Sequence, residues 1–280
     1  FKPFIYSAAL EQGANASTIL LDAPVVMSSR DLEQDWRPSN YSGKFYGEQR
    51  LREALVRSMN LATVRLLMDK VGIKNAVNHI KKFGFSEEDL PKNGGLALGA
   101  GSASPLDMAQ AYSVFANGGY RIEPYIIESI RDSENSVVYR NDTPIVCERC
   151  EVNPNISEMN TDLVEIHEDE QLFALQQIAE IADVYKPDAK TSPKLFENIN
   201  LANRIISKEN AYLIQDMLKD VIRRGTGVRA NRELRRRDLS GKTGTTNDYR
   251  DAWFAGFNND LTSVVWVGND NYDPLGSGEQ

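Results

Sequence analysis

The 280-residue sequence holds two histidines, His79 and His167, and that scarcity narrows its chemistry. A multi-histidine metal centre cannot be built from them, and a Ser-His-Asp relay has few candidates to draw on. Cysteine is equally scarce, with Cys147 and Cys150 as the only pair. A zinc site wants about four ligands. One such pair with a distant His167 therefore favours a local disulfide or a free dithiol over a metal. No apolar run approaches the roughly 18 residues of a membrane span, and no charged-then-apolar leader precedes a cleavage site. Basic residues are outnumbered, 32 Lys+Arg against 40 Asp+Glu, and the net charge of −8 offers phosphodiester backbones no global attraction. No nucleic-acid partner, cofactor or metal is expected. An initiator Met is also missing. Phe1 opens the chain on the apolar text FKPFIYSAAL, which reads like a cut, so any membrane or secretion signal is expected upstream.

What is present is the composition of a globular protein, 41% hydrophobic and 26% charged, long enough for one or two domains. Ile73, Ala76, Val77, Ile80 and Phe83 repeat at helical steps before Gly84. Ser104-Pro105 with Asp107 reads as a capping box with Pro at the first helical position, opening a helix to about Asn117. Gln49 to Arg57 reads as a helical run. Tyr125, Ile127 and Ser129, then Val137 and Tyr139, alternate as a strand pair turning at Asp132 to Asn135. Regularity is lost from Arg140 to about Asn203, an acidic stretch with a helix expected at Gln171 to Tyr185. Ser207 to Arg224 reads as a long amphipathic helix. Leu239 to Thr246, Asp251 to Phe257 and Leu261 to Val267 follow as strands with hairpin-length connections. Helices first and hairpins last predict an α+β fold, a three-layer helix/sheet/helix arrangement whose mainly antiparallel sheet is flanked by helices.

The chemistry concentrates in three places. Ser240-Gly241-Lys242-Thr243-Gly244-Thr245-Thr246 sets a lysine, small hydroxylated residues and glycine on one strand. Alternation points Lys242 and Gly244 one way and Thr243 and Thr245 the other. The glycine admits close approach of another chain, and exposed amides there can receive an oxyanion. A surface strand with a chance Lys-Thr-Gly is the plainer reading. Ser58-Met59-Asn60 lies at a helix junction, where hydroxyl and amide can face one cleft, or where either can simply cap the next helix. The third place is Lys2.

Together these pieces resemble the Ser-x-x-Lys, Ser-x-Asn and Lys-Thr-Gly motifs of penicillin-recognising acyl-serine enzymes. The resemblance extends to Phe1-Lys2-Pro3-Phe4-Ile5-Tyr6, the block Gly101 to Ala109, Ala116-Asn117-Gly118-Gly119, Gly241 to Asn247 and Asp251 to Gly256. All are similar, in order, to the transpeptidase domain of class A penicillin-binding proteins, nearest the 1a type. The match covers 1–139 and 204–271, with an insertion at 140–203 and a C-terminal tail at 272–280.

The resemblance implies a serine-type D-Ala-D-Ala transpeptidase that cross-links peptidoglycan stem peptides and is trapped by β-lactams. It implies Lys2 as a general base of depressed pKa, Ser58 as a proton relay and Asn60 as the holder of the acyl side-chain amide. Lys242 would supply positive potential for the substrate's terminal carboxylate. Thr243 and Thr245 would bond that carboxylate, Gly244 lies between them, and the Thr245 amide would be half of an oxyanion hole. The expected partners are a D-Ala-D-Ala donor strand, an amine acceptor and β-lactams. The expected location is the periplasmic side of a bacterial inner membrane, anchored only through an upstream segment that also carries a glycosyltransferase domain. An oxidising compartment favours the Cys147–Cys150 disulfide.

The chain departs from the pattern at the nucleophile. The motif's serine falls two positions before Phe1, and no serine in the chain is followed by lysine three residues later. Two rivals are a D,D-carboxypeptidase or β-lactamase on the same scaffold, with water as acceptor, and a catalytically silent recognition module. Arg229, Arg232, Arg235, Arg236 and Arg237 form a basic cluster, either paired with acids or suited to anionic precursors. Trp36, Tyr41, Phe45, Tyr46 and Tyr249 either wall a cleft or pack.

Overall fold

The text that opens the chain is apolar on every side, and in the computed structural model it becomes a central helix, α1 (Lys2–Glu11), buried from Pro3 to Ala9. The structure describes residues 1–27, 35–146, 200–246 and 249–276. A helix apolar all round must be covered all round. Phe4 does most of this, its ring lying 5.0 Å from Phe83, 5.5 Å from Phe115 and 5.6 Å from Tyr112. Each fully buried aromatic of this kind contributes about 2–3 kcal/mol by burial. Its buried polar atoms are paired as well: Tyr6 OH with Thr63 Oγ1 at 3.0 Å, Ser7 Oγ with His79 Nε2 at 2.9 Å, and Asn210 Nδ2 donating to the Ser7 carbonyl at 2.9 Å. These bonds fix the rotation of α1, because an unpaired buried polar atom costs more than a bond contributes.

After α1, β1 (Ile19–Asp22) pairs antiparallel with β2 (Gly47–Arg50). The helical run expected from Gln49 begins only at Leu51. Arg50 is extended at ψ 146°, and the first amides of α2 (Leu51–Val56) bond the carbonyls of Thr18 and Ala16 at 2.8 and 3.1 Å. Helix α3 (Asn60–Arg65) follows and runs into a π-helical turn at Leu66–Val71. Next come α4 (Ile73–Lys82) and α5 (Pro105–Ala116). The Ser104 capping box on α5 forms as expected, with Asp107 N donating to Ser104 Oγ at 3.1 Å and Ser104 N to Asp107 Oδ2 at 2.9 Å.

Helix α6 (Lys208–Arg224), capped by Ser207, is followed by α7 (Val228–Leu234). The strands β5 (Ser240–Thr245), β6 (Asp251–Phe257) and β7 (Thr262–Gly268) form one antiparallel sheet in sequential order. Helices α5 and α6 pack against this sheet, and α6 also packs on α1 and α2. The α+β architecture with antiparallel sheets agrees with the sequence pattern.

Two compact units are present, Phe1–Ile126 with Asn203–Gln280, and Ile127–Ala202. In the second, β3 (Ser129–Arg131) and β4 (Val137–Arg140) pair antiparallel. The turn sits where expected, its amides at Glu134 and Ser136 donating to Asp132 Oδ1. Tyr125 and Ile127 lie outside the strand, and both strands are exposed on both faces, so their alternation does not mark a buried side. The expected helix at Gln171 to Tyr185, His167 and the Cys147/Cys150 pair lie outside the described residues.

Gly225, which closes α6, crosses the end of α2 closely. A Cβ there would lie 2.4 Å from the Val56 carbonyl oxygen and 2.9 Å from Val221 Cα. Gly225→Ala should therefore destabilise the fold by about 2 kcal/mol in urea unfolding, and unchanged stability would contradict this crossing. Ser104→Ala, which removes the α5 cap, should cost about 1 kcal/mol with the urea m-value unchanged.

Candidate active site

Pro3 follows Lys2 at the start of α1, where a missing N–H costs nothing, so the helix begins at Lys2 itself. The anchored helix holds the Lys2 amine against the junction of α2 and α3. That junction is an unusual turn, since Ser58 is a non-glycine residue at φ 55°. Such a backbone costs a serine about 1–3 kcal/mol and persists only where its surroundings impose it. Here Ser58 N and Met59 N bond the carbonyls of Leu55 and Ala54 at 3.0 and 2.9 Å, ending α2, while α3 starts two residues on.

The reversal aims three acceptors at one amine. Lys2 Nζ donates to the Ser58 carbonyl at 2.9 Å, to Ser58 Oγ at 3.2 Å and to Asn60 Oδ1 at 2.6 Å. From the sheet, Lys242 Nζ donates to the same Ser58 Oγ at 2.9 Å and to the Thr243 carbonyl at 2.9 Å. One hydroxyl thus stands between two lysines. Neither has an ion-pair partner among the described residues, and Lys242 is only 4% exposed.

Burial holds the Lys2 amine down to about 8, from an ordinary value of 10.5. Lys242 is lowered well below its ordinary value, first by burial and then by the charge of Lys2. Two amines that resist protonation around a shared hydroxyl can accept, pass and return a proton at near-neutral pH.

Strand β5 climbs from the core, buried at Ser240 and exposed by Thr245. Lys242 and Thr243 point to opposite sides, as alternation requires: Lys242 reaches Ser58, while Thr243 Oγ1 meets Thr226 Oγ1 at 2.7 Å. Gly244 faces Trp253 of β6, and a Cβ at that position would lie 3.2 Å from the Trp253 Cβ. Asn60 is engaged at both ends, its Nδ2 donating to the Ser39 carbonyl at 2.9 Å. Lys2, Ser58, Asn60 and Lys242 therefore form one cluster, and Thr243, Gly244 and Thr245 continue along the strand that carries Lys242.

The weaker sequence signals separate. Two of the five arginines take the acid-paired alternative, Arg229 with Glu233 at 2.7 Å and Arg236 with Asp238 at 2.5 Å. Trp36 packs against the core and over Gly94. Tyr41 and Tyr249 meet hydroxyl to hydroxyl with rings edge-on at 6.3 Å, and Tyr41 is 71% exposed.

Sequence reasoning missed two buried residues, Asn40 beside Asn60 and Asp22 behind Asn40. Asn40 Oδ1 accepts from Asn60 N at 2.8 Å, and its Nδ2 donates to Asp22 Oδ2 at 2.8 Å. A lone acid closing the apolar run Ile19-Leu20-Leu21-Asp22 was the available signal.

A family model described as the penicillin binding protein transpeptidase domain matches residues 1–275. The chain is 42% identical to penicillin-binding protein 1A of Pseudomonas aeruginosa, over 100% of this chain and 33% of that protein. It is 36% identical to penicillin-binding protein 1A of Neisseria lactamica, over 99% of this chain and 28% of that protein. Among solved structures, penicillin-binding protein 1A from Haemophilus influenzae superposes with a TM-score of 0.77 at 35% identity, covering 99% of this chain and 38% of that one. The chain spans about a third of the length of the curated relatives it matches. With a Lys2–Ser58–Asn60–Lys242 cluster, half-buried except at the buried Lys242, and a family match along almost its whole length, the chain belongs to the penicillin-binding protein transpeptidase domain family.

Proposed function

We propose that this chain is a D,D-transpeptidase domain working on peptidoglycan stem peptides through an acyl-serine intermediate. The observation that carries the reading is the Lys2 amine, buried, lowered to about 8 and bonded to Ser58 and Asn60, with Lys242 on the far side of the same hydroxyl. The acylating serine is expected two positions before Phe1, one helical turn from Lys2.

In the proposed reaction the neutral Lys2 amine takes the serine proton as the serine oxygen attacks the penultimate D-alanyl carbonyl. The Thr245 amide and the serine's own amide hold the oxyanion. The proton then moves from Lys2 through Ser58 Oγ to the leaving nitrogen, the peptide C–N bond breaks, and D-alanine departs. An acceptor amine attacks the acyl-serine ester, losing a proton along the same route in reverse. A new amide forms and the serine regains its hydrogen. The donor's terminal carboxylate, bonded by Thr243 and Thr245, brings the negative charge that the free site lacks, so Lys242 holds it in protonated form. The second lone pair of Asn60 Oδ1 remains for a substrate N–H.

β-Lactams would acylate the same serine. The domain bounds of 1–139 and 204–271 around an insertion, and a position on the periplasmic side of an inner membrane, belong to the same proposal. Among the described residues no helix is long and apolar enough to cross a membrane.

In protein carrying its natural residues upstream of Phe1, a β-lactam should add its mass to the chain. Lys2→Ala should slow that acylation by about a thousandfold while the protein stays folded. Unchanged labelling would refute Lys2 as the base. The base acts when deprotonated, so with Lys2 lowered to about 8 the acylation rate should rise through an alkaline limb centred there. The gain between pH 7 and pH 9 should be about tenfold. Lys242→Ala should weaken capture of carboxylate-bearing β-lactams about tenfold, and unchanged affinity would remove its carboxylate role.

A further inference from the structure

Helix α3 begins at Asn60, and its N-cap residue, Met59, has no side chain able to cap it. The first amides of a helix lack intrahelical partners, and buried amides without partners are costly. Here the cap comes from a residue 20 positions away in the sequence. Asn40 Oδ1 accepts from Asn60 N at 2.8 Å and from Leu61 N at 3.3 Å. Its Nδ2 donates to both oxygens of Asp22, at 3.0 and 2.8 Å, and to the Lys44 carbonyl at 2.9 Å. Asp22 is fully buried and also accepts from Tyr46 N at 3.0 Å.

Each amide in this chain can point only one way. A carboxylate accepts only, so the NH2 of Asn40 must face Asp22, which leaves its oxygen for the helix amides. The neighbouring Ser39 carbonyl also only accepts, and it takes the NH2 of Asn60 at 2.9 Å. The Asn60 oxygen is thereby turned to Lys2 Nζ at 2.6 Å. A reversed Asn60 would aim donors at a donor.

We infer that Asn40, held by Asp22, is a positioning residue for the transpeptidase reaction. Through the backbone N–H groups of Asn60 and Leu61 it fixes the start of α3, and with it the place of the Asn60 oxygen that aims the Lys2 amine and the strained Ser58 turn before it. The inference rests on the functional reading above for its activity test, and it also has a readout that needs no activity.

The experiment uses protein with its natural upstream residues and compares wild type, Asn40→Asp, Asp22→Asn, the exchanged pair Asn40→Asp/Asp22→Asn, and Asn40→Ala. Asn40→Asp alone sets two carboxylates face to face. Asp22→Asn alone leaves an acceptor at the Oδ2 position but sets its NH2 against the Asn40 NH2 at the Oδ1 position, which weakens the hold on Asn40. The exchanged pair keeps an acceptor on the α3 amides and restores a donor opposite an acceptor between positions 22 and 40, at the loss of the Lys44 contact and of one of the two contacts, with position 40 and with Tyr46 N, that Asp22 Oδ2 makes. Acylation by a fluorescent penicillin, measured per folded molecule well below each variant's Tm, should fall about tenfold or more in each single variant. It should return to within about threefold of wild type in the exchanged pair.

Single variants acylating within about twofold of wild type would overturn the inference. So would an exchanged pair that regains Tm without regaining rate, since that is the behaviour of a merely structural contact. Independently, NMR titration of the Lys2 side chain should show a midpoint about 0.5 pH unit lower in Asn40→Ala, because a carbonyl acceptor favours the ammonium form. The charged group facing Lys2 from another element, Lys242 of β5, is retained in every variant. An unmoved Lys2 midpoint would overturn the inference even if no variant acylates. Absence of acylation in wild type would count against the functional reading alone.

Discussion

The interaction on which the rest of the site depends is the sharing of one serine hydroxyl by two buried lysine amines. Ser58 Oγ lies 3.2 Å from Lys2 Nζ and 2.9 Å from Lys242 Nζ. No carboxylate among the described residues pairs with either amine. A buried, unpaired ammonium costs several kcal/mol, far more than one hydrogen bond contributes. The fold therefore presses both amines toward their neutral forms. The same pressure would suit Lys2 to act as the base of the proposed reaction, so that chemistry and the instability of the cluster would share one cause.

Such a cluster survives only if stronger forces hold its parts. The aromatic packing of Phe4 against Phe83, Phe115 and Tyr112 anchors α1 just after Lys2. On the other side, Arg52 bonds Asp216 and Asp220, and Arg224 bonds Glu53 and Asp220, tying α2 to α6. These pairs are partly solvated and contribute about 1 kcal/mol or less each, so the apolar contacts dominate. Ser240 Oγ donates to the Gln215 carbonyl at 3.2 Å, which fastens β5, and with it Lys242, to the same helix. The strained Ser58 turn is then bounded by packed elements rather than stabilised by its own conformation.

Much of this was legible in the sequence wherever the signal is local. Period-2 alternation put Lys242 and Thr243 on opposite sides of β5. Ser104, Pro105 and Asp107 announced α5 because a capping box is written within four consecutive residues. Gln49 and Arg50 went the other way: their pairing with Leu20 and Ile19 in β1 outweighs helical propensity, and nothing near them in sequence records the partner strand. Asn40 was illegible for a related reason. Its partners Asp22, Asn60 and Leu61 lie about 20 positions away on either side, and a hydrogen bond between segments distant in sequence leaves no periodicity. Ser58 and Asn60 were found through a motif, but no sequence signal disclosed the positive φ that lets both reach Lys2.

The central claim is that burial keeps the Lys2 amine available as a base near neutral pH. NMR titration of the Lys2 side chain in folded protein carrying its natural upstream residues tests it most directly. The account predicts a midpoint at about 8. A midpoint at the ordinary lysine value of 10.5 would contradict it.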